Sequence, residues 1–264
     1  MFHKTRPTAY HTIGLALSGG GTKGVAHIGV FKAFLENGIK FDYVTGTSAG
    51  SILGAMYAAN VPIEEMVQAA KALTKKDILN KRLILGSNPL NVEQVAMRVL
   101  GDITFDQLSV PFAAVAVDIS TGNEVVLNSG SVCKAVSASS AVPMLFKPVQ
   151  LDGMSLVDGG LLNNMPADIC RQMGAEIVVS VDLNHNRGRG TTTGKFLDTV
   201  VATWNITTKS TVYKGQINSD VIITPELSDY KNTRLVGIDE MIEEGYRAAT
   251  EKIDEIKQLL QTKY

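Results

Sequence analysis

The stretch IGLALSGGGTKG, running from Ile13 to Gly24, decides the fold. Ile13–Ser18 is a short apolar run stopped by glycines, the pattern of a buried strand. Gly19–Gly24 follows as a tight loop. From Val25 to Glu36 the apolar residues Val30, Phe31, Phe34 and Leu35 fall at helical spacing, and Asn37-Gly38 ends the segment. Phe41–Gly46 reads as a second short strand and Ser48–Ala59 as a helix of small residues. Strand, turn, helix, strand, turn, helix is the rhythm of a parallel sheet covered by helices.

Working outward, Phe112–Asp118 and Ile177–Asp182 are strong strand candidates, and Glu124–Leu127, Ser155–Val157 and Val221–Thr224 are further strands. Ile63–Thr74, Val92–Leu100, Phe196–Lys214 and Asp239–Lys263 read as helices. The last carries Ile242, Tyr246, Ala249, Ile253, Ile256 and Leu260 as one apolar stripe, expected to pack on the sandwich, with a dimer seam as the alternative. His185–Gly194 is polar and glycine-rich, so it is expected to be a loop. Without an internal repeat or a linker, residues 1–264 are expected to form one α/β domain, with its motifs between 13 and 182 and a C-terminal helix over 239–263.

The composition fits a folded enzyme-sized core: 45% hydrophobic and 19% charged residues place the chain among globular rather than disordered proteins. A formal net charge of -1 gives no general attraction to nucleic acid, and no nucleic-acid partner is expected. Cys133 and Cys170 are too few for a disulfide framework, and no Cys/His cluster has zinc-ligand spacing, so no metal is expected. Met1–Thr12 lacks an apolar run behind a basic start, and no stretch is long enough to span a bilayer. The expectation is a cytoplasmic protein, peripheral at most to a membrane surface. Lys75–Leu90, which mixes Lys75, Lys76, Lys81 and Arg82 with aliphatics, is the candidate lipid-facing edge, against the alternative of a plain surface loop.

Two glycine-rich turns carry the chemistry. Gly19, Gly20, Gly21, Thr22, Lys23 and Gly24 match G-x-G-x-x-G between a strand and a helix. Converging amides and a helix N-terminus stabilise a nearby anion, whether a pyrophosphate or a developing oxyanion. The dinucleotide reading needs an acidic residue at the end of the second strand. That strand ends instead in Gly46-Thr47-Ser48-Ala49-Gly50, and Asp42 stands at its beginning. A tight turn without ligand is the third reading. Gly46–Gly50 is G-x-S-x-G on a strand-to-helix turn, the setting of an exposed nucleophilic serine, although a helix N-cap serine has the same appearance.

A serine hydroxyl needs a base. Of the four histidines, His3, His11 and His27 precede Ser48 and only His185 follows it. Ser48, Asp158, His185 satisfies the chain order of an α/β-hydrolase triad formally, but His185 lacks a supporting pattern. Asp158 is the better base. It stands in Leu156-Val157-Asp158-Gly159-Gly160, where an apolar strand meets a glycine turn and burial would raise its pKa. An ordinary Asp-Gly-Gly turn is the alternative.

Together Gly19–Gly24 (GGGTKG), Gly46–Gly50 (GTSAG) and Asp158–Gly160 (DGG) resemble the patatin-like phospholipase family, particularly its compact bacterial members. Ser137–Phe146 (SASSAVPMLF) and Asn163-Asn164-Met165-Pro166 support the resemblance, which spans Ile13 to about Asp182. It implies a three-layer α/β/α sandwich with a mainly parallel sheet and a cofactor-free lipid or ester hydrolase. It further implies Ser48 as nucleophile, Asp158 as base, the Gly19–Gly24 amides as oxyanion hole, Gly46, Thr47, Ala49 and Gly50 as the elbow, and Gly159 and Gly160 as the turn behind the base. Lys23 stands where the family usually has arginine, which keeps the charge but loses the bidentate fork. Val142, Met144, Leu145 and Phe146 are candidates for an acyl pocket wall or for ordinary core.

Overall fold

The computed structural model describes residues 11–73, 90–185, 196–230 and 236–261. Its centre is one sheet with helices on both faces. In chain order, β1 (Ile13–Leu17) leads through a 3-10 turn (Gly21–Val25) into α1 (Ala26–Glu36). β2 (Tyr43–Thr47) and α2 (Ala49–Ala58) repeat that unit, and α3 (Ile63–Ala72) follows. Then come α4 (Leu90–Leu100), β3 (Phe112–Asp118), β4 (Asn123–Leu127), α5 (Val132–Ser139), β5 (Val149–Leu151) and β6 (Met154–Asp158). The chain closes with α6 (Ala167–Met173), β7 (Ile177–Val181), α7 (Phe196–Ser210), α8 (Tyr213–Gln216), β8 (Val221–Ile223), α9 (Ile238–Thr250) and α10 (Ile253–Gln261).

The strand order is β5-β6-β3-β2-β1-β7-β8, with β4 also on β3. β1, β2, β3, β7 and β8 pair in parallel, while β4 and β6 run antiparallel to β3. Every residue of β1, β3 and β7 is buried, the signature of strands covered on both faces. The two faces differ in bulk. Leu15, Leu17, Ala114, Val179 and Val181 join the large core with Phe31, Phe34 and Met241. Ala16 and Val178 meet Ala167 and Cys170 of α6 on the other face. There α6 and the residues after it sit so close that a Cβ at Gly14 would lie 3.1 Å from Cys170 Cβ and 2.7 Å from Ala175 Cβ. Both cysteines are free and buried.

Several elements depart from the sequence expectation. The C-terminal segment is two helices, α9 and α10, rather than one. The apolar stripe continues through the break at Glu251–Lys252, with Ala249, Ile253 and Ile256 all buried, so spacing alone could not locate it. α9 packs on α1 as expected, through a contact the stripe does not announce. A Cβ at Gly29 would overlap the Ile242 carbonyl, and one at Gly245 the Ala26 carbonyl. Phe196–Lys214 likewise divides into α7 and α8. The edge strand β5 and the helices α5 and α6 are short and had not been anticipated. The proposed lipid-facing stretch lies outside the described residues apart from Leu90, as does the His185–Gly194 loop beyond His185.

Candidate active site

The site lies where β1 and β2 end, at the carboxyl edge of the parallel strands, as open α/β sheets favour. Ser48 follows β2 with φ 53° and ψ −126°, a backbone conformation that a non-glycine residue holds only when its surroundings enforce it. The surroundings are specific. The Ser48 amide donates to Ser139 Oγ at 3.0 Å, and that hydroxyl donates to the Val115 carbonyl at 2.6 Å. The Ser48 carbonyl accepts from the Ser51 amide at 2.9 Å and the Ser51 hydroxyl at 2.7 Å. A Cβ at Gly50 would lie 2.7 Å from the Ser18 carbonyl oxygen, so glycine is what lets the elbow and the loop after β1 touch. Ser48 is half-buried while Thr47, Ala49 and Gly50 are buried, which leaves the serine as the accessible residue of the turn.

Asp158 reaches the same point from the other direction. On β3, Val115 pairs with Thr47 of β2 and Ala116 pairs with Asp158 of β6, while β4 covers Ala114 to Asp118 along the opposite edge. β2 and β6 therefore share one edge of β3 end to end, and their last residues are neighbours. Asp158 is fully buried. Its amide donates to the Ala141 carbonyl at 3.0 Å, and its Oδ1 accepts from the Gly160 amide at 2.8 Å. Oδ2 has no partner at hydrogen-bond geometry. Burial pushes the carboxyl up to about 7, opposed first by the Ser48 hydroxyl and then by the Gly160 amide. The hydroxyl is thus near enough to favour the ionised form, at a spacing looser than a formed hydrogen bond. Such spacing is usual before substrate binds. Gly159 lies against the Val115 carbonyl, where a Cβ would overlap it. Thr211 Oγ1 donates to the Gly160 carbonyl at 2.8 Å, tying the turn to the loop between α7 and α8.

The glycine loop is held on three sides. The Ser18 amide donates to Val181 O at 3.1 Å, the Gly19 amide to Asn164 O at 3.1 Å, and Asn184 Nδ2 to Gly19 O at 2.6 Å. His27 Nε2 bonds the Ser18 carbonyl at 3.0 Å, which requires the proton on that nitrogen. Burial lowers the His27 pKa to about 4, against the bond to Ser18, so the ring is neutral near pH 7. Thr22, Lys23 and Gly24 belong to the 3-10 turn, and the Lys23 amide donates to Gly20 O at 3.3 Å. Among the described residues, no acceptor is paired with the amides of Gly20 and Gly21. Lys23 is 3% exposed, so its side chain lies within the protein rather than reaching into solvent.

The competing assignments find little support in this geometry. Asp42 accepts from the Ile13 amide at 2.8 Å, at the start of β1 and the far end of the sheet from the glycine loop. His185 is exposed, and no histidine among the described residues hydrogen-bonds Asp158. Among the described residues no group of three or more His, Cys, Asp or Glu side chains is placed to hold a metal ion, and no helix is long and apolar enough to cross a membrane. Of the proposed pocket wall, Phe146 is buried, Val142 and Leu145 are half-buried, and Met144 is 45% exposed at φ 68°. Sequence reasoning passed over Ser139 and Thr211. The small-residue block SASSA gave no indication which hydroxyl would face Ser48.

Fold and elbow together define a class, the α/β sandwiches that hold a serine on a strained turn between a strand and a helix. Comparison with known proteins narrows it. The sequence model described as Patatin-like phospholipase matches residues 15–171, more than half of the chain. An uncharacterized NTE family protein of Mycobacterium tuberculosis is 33% identical over 186 residues, 69% of this chain and 51% of that protein. Patatin-like phospholipase domain-containing protein 6 of Mus musculus is 36% identical over 183 residues, 66% of this chain and 14% of that protein. The chain belongs to the patatin-like phospholipase family. It spans about half the length of the mycobacterial relative. VipD from Legionella pneumophila shares the fold with a TM-score of 0.64 at 14% identity, over 94% of this chain and 67% of that one. The type III effector ExoU does so at 0.51 and 13% identity, over 93% and 53%.

Proposed function

We propose that the chain is a serine-dependent lipid acyl hydrolase acting through Ser48 and Asp158, on a phospholipid, a lysophospholipid or a simpler ester. Family membership supports the class of reaction. The observation that carries the assignment of residues is the register on β3, which sets an elbow serine and a buried carboxylate side by side. As Ser48 Oγ attacks the ester carbonyl, its proton passes to Asp158. The carbonyl oxygen becomes an oxyanion facing the glycine loop, where one donor is worth roughly 3 kcal/mol. The ester C–O bond then breaks, and Asp158 returns the proton to the leaving alcohol. A water molecule repeats the sequence on the acyl-enzyme: its proton goes to Asp158, its oxygen bonds the acyl carbon, and Ser48 leaves with the proton.

A free aspartate, with a pKa near 4, is a weak base at neutral pH. Burial brings Asp158 to about 7, nearer the working range of a general base. Activity is therefore expected to fall as pH drops through about 7 and the carboxylate protonates. Lipid contact is assigned to the exposed Met144 and to Leu162, 40% exposed just beyond the Asp158 turn. The test is p-nitrophenyl ester hydrolysis together with fluorophosphonate labelling read by mass spectrometry. Wild type should turn over and carry the label on Ser48, while Ser48→Ala and Asp158→Asn should lose on the order of 10³-fold or more in kcat. Label on another residue would refute the nucleophile. A folded wild type that binds lipid without turnover would make the protein a lipid-binding module instead.

A further inference from the structure

The first helix sends a side chain back across the glycine loop. His27 is the second residue of α1, and α1 grows directly out of the 3-10 turn that ends the loop. Its Nε2 donates to the Ser18 carbonyl at 3.0 Å, nine residues back and at the root of the same loop. The ring is fully buried, and its Nδ1 has no hydrogen bond. It stacks on Phe31 with ring centroids 6.4 Å apart and planes 15° from parallel. A buried nitrogen without a partner costs stability, and an apolar ring of similar size would avoid that cost. What an apolar ring could not supply is the donor to Ser18.

Ser18 is one fixed end of this closure. Its amide donates to Val181 O and its hydroxyl accepts from the Leu183 amide at 3.0 Å, on β7 and just beyond it. The α1 end is fixed as well, because the Ala26 carbonyl lies against Gly245 of α9, where a Cβ would overlap it. Between the two ends run three consecutive glycines, whose backbone adopts many conformations unless something holds it. The Ser18 carbonyl and the Gly19 amide belong to one peptide plane. His27 holds the carbonyl side of that plane, and the Asn164 carbonyl holds the amide side at 3.1 Å. The direction of the plane sets where the next amides, those of Gly20 and Gly21, point. The same carbonyl faces the elbow: a Cβ at Gly50 would lie 2.7 Å from Ser18 O, and one at Gly24 would lie 2.6 Å from Ala49 Cβ. The loop is therefore pressed against the serine turn at both of its ends.

We propose that His27 is a positioning residue for acyl transfer: by donating from Nε2 to the Ser18 carbonyl it closes the glycine loop and aims the Gly20 and Gly21 amides at the acyl oxygen. The inference rests on the acyl-transfer reading above. The ring hydrogen-bonds neither Ser48 nor Asp158, so it acts through the loop and not as a base.

The experiment compares wild type, Ser48→Ala, His27→Gln, His27→Met and His27→Phe on p-nitrophenyl butyrate, with thermal melts as a check on folding. Glutamine carries its Nε2 as many bonds from Cα as histidine does, so it can keep the donor. Methionine matches glutamine in length and phenylalanine matches the ring, and neither has a donor. The methionine and phenylalanine variants are expected to lose about 10²-fold in kcat with KM within about threefold of wild type, the size of loss that misplaced oxyanion donors produce. Glutamine should restore kcat to within about fivefold of wild type. A trifluoromethyl ketone, whose serine adduct carries an oxyanion, should bind the two donorless variants about 10²-fold more weakly. Folded donorless variants that keep kcat within about threefold of wild type would overturn the proposal. So would a glutamine variant as slow as the methionine one, which would make the shape of the ring the requirement and not its donor. Wild type supplies a check that needs no variant to fold: a long-range nitrogen–proton NMR spectrum should place the His27 proton on Nε2, and a proton on Nδ1 would overturn the proposal. If wild type and Ser48→Ala hydrolyse the ester alike, the acyl-transfer reading itself fails and takes this inference with it.

Discussion

The parallel and antiparallel halves of the sheet bring their chain ends to one place by opposite routes. β1 and β2 are sequence-local units, each strand running into its own turn and helix, and they end at the carboxyl edge where such sheets place their sites. β6 arrives more than a hundred residues later and runs against β3. An antiparallel strand paired along the whole of β3 would end at the far side of the sheet. β6 avoids this by taking only the second half of an edge whose first half belongs to β2. Two carboxyl ends then meet at Val115 and Ala116, and Ser48 and Asp158 follow from that meeting. The difference teaches that the elbow is a local structure, while its partner is a product of register.

The largest expected effect separates stability from activity. Asp158 has its folded pKa raised to about 7 from 3.8. Its stabilising contribution is therefore complete below about 3.8 and lost as pH rises to about 7. Asp158→Asn removes the ionisation. Urea melts should show the variant more stable than wild type at pH 8, by on the order of 4 kcal/mol, with the gain fading towards pH 4. Equal stability at both pH values would mean that the carboxylate is not desolvated.

Next come the glycines that bring backbones together. Gly159→Ala drives a methyl group into the Val115 carbonyl at the junction, and Gly50→Ala does the same to the Leu17 carbonyl in the parallel half. Each should cost about 3 kcal/mol in a denaturant melt, because a backbone carbonyl cannot step aside. If only Gly50→Ala were harmful, β6 would not be held as tightly on β3 as the register implies. Ser139→Ala strips both the Ser48 amide and the Val115 carbonyl of their shared hydroxyl. A loss of about 2 kcal/mol is expected, with a reduced kcat, since the strained elbow loses the bond that fixes it. The smallest effect is Thr211→Val, which deletes the hydroxyl that the Gly160 carbonyl shares with the Thr208 carbonyl and should lower stability by about 1 kcal/mol in the same melt.

Legibility in the sequence follows the same division. β1, β3 and β7 were evident because strands buried on both faces are written as largely apolar runs, whereas β2, with Thr45 and Thr47 in it, was legible from its place in the strand-turn-helix rhythm. β4 gives a weaker signal because only Leu127 of its five residues is buried, the others being exposed or half-buried at the edge of the sheet. β5 is three residues long and half-exposed, too short for any period to show. Gly29 and Gly245 add nothing to the apolar pattern of their helices, and only the packed structure shows that they let the two backbones meet. His27 was visible early in the first helix, but its bond to the Ser18 carbonyl was not. Where a side chain finds its acceptor is a property of everything around it.

By itself the sequence determined the strand-turn-helix order, the glycine loop and the elbow, and singled out Ser48 and Asp158 as the candidate reactive side chains, because each is encoded within a few consecutive residues. Only the tertiary structure decided that positions 48 and 158 adjoin, that the carboxyl is dry enough to titrate near neutrality, and that Gly20 and Gly21 keep donors unspent. Those depend on which edges pair, where they stop and what is left uncovered, and non-local pairing sets all three.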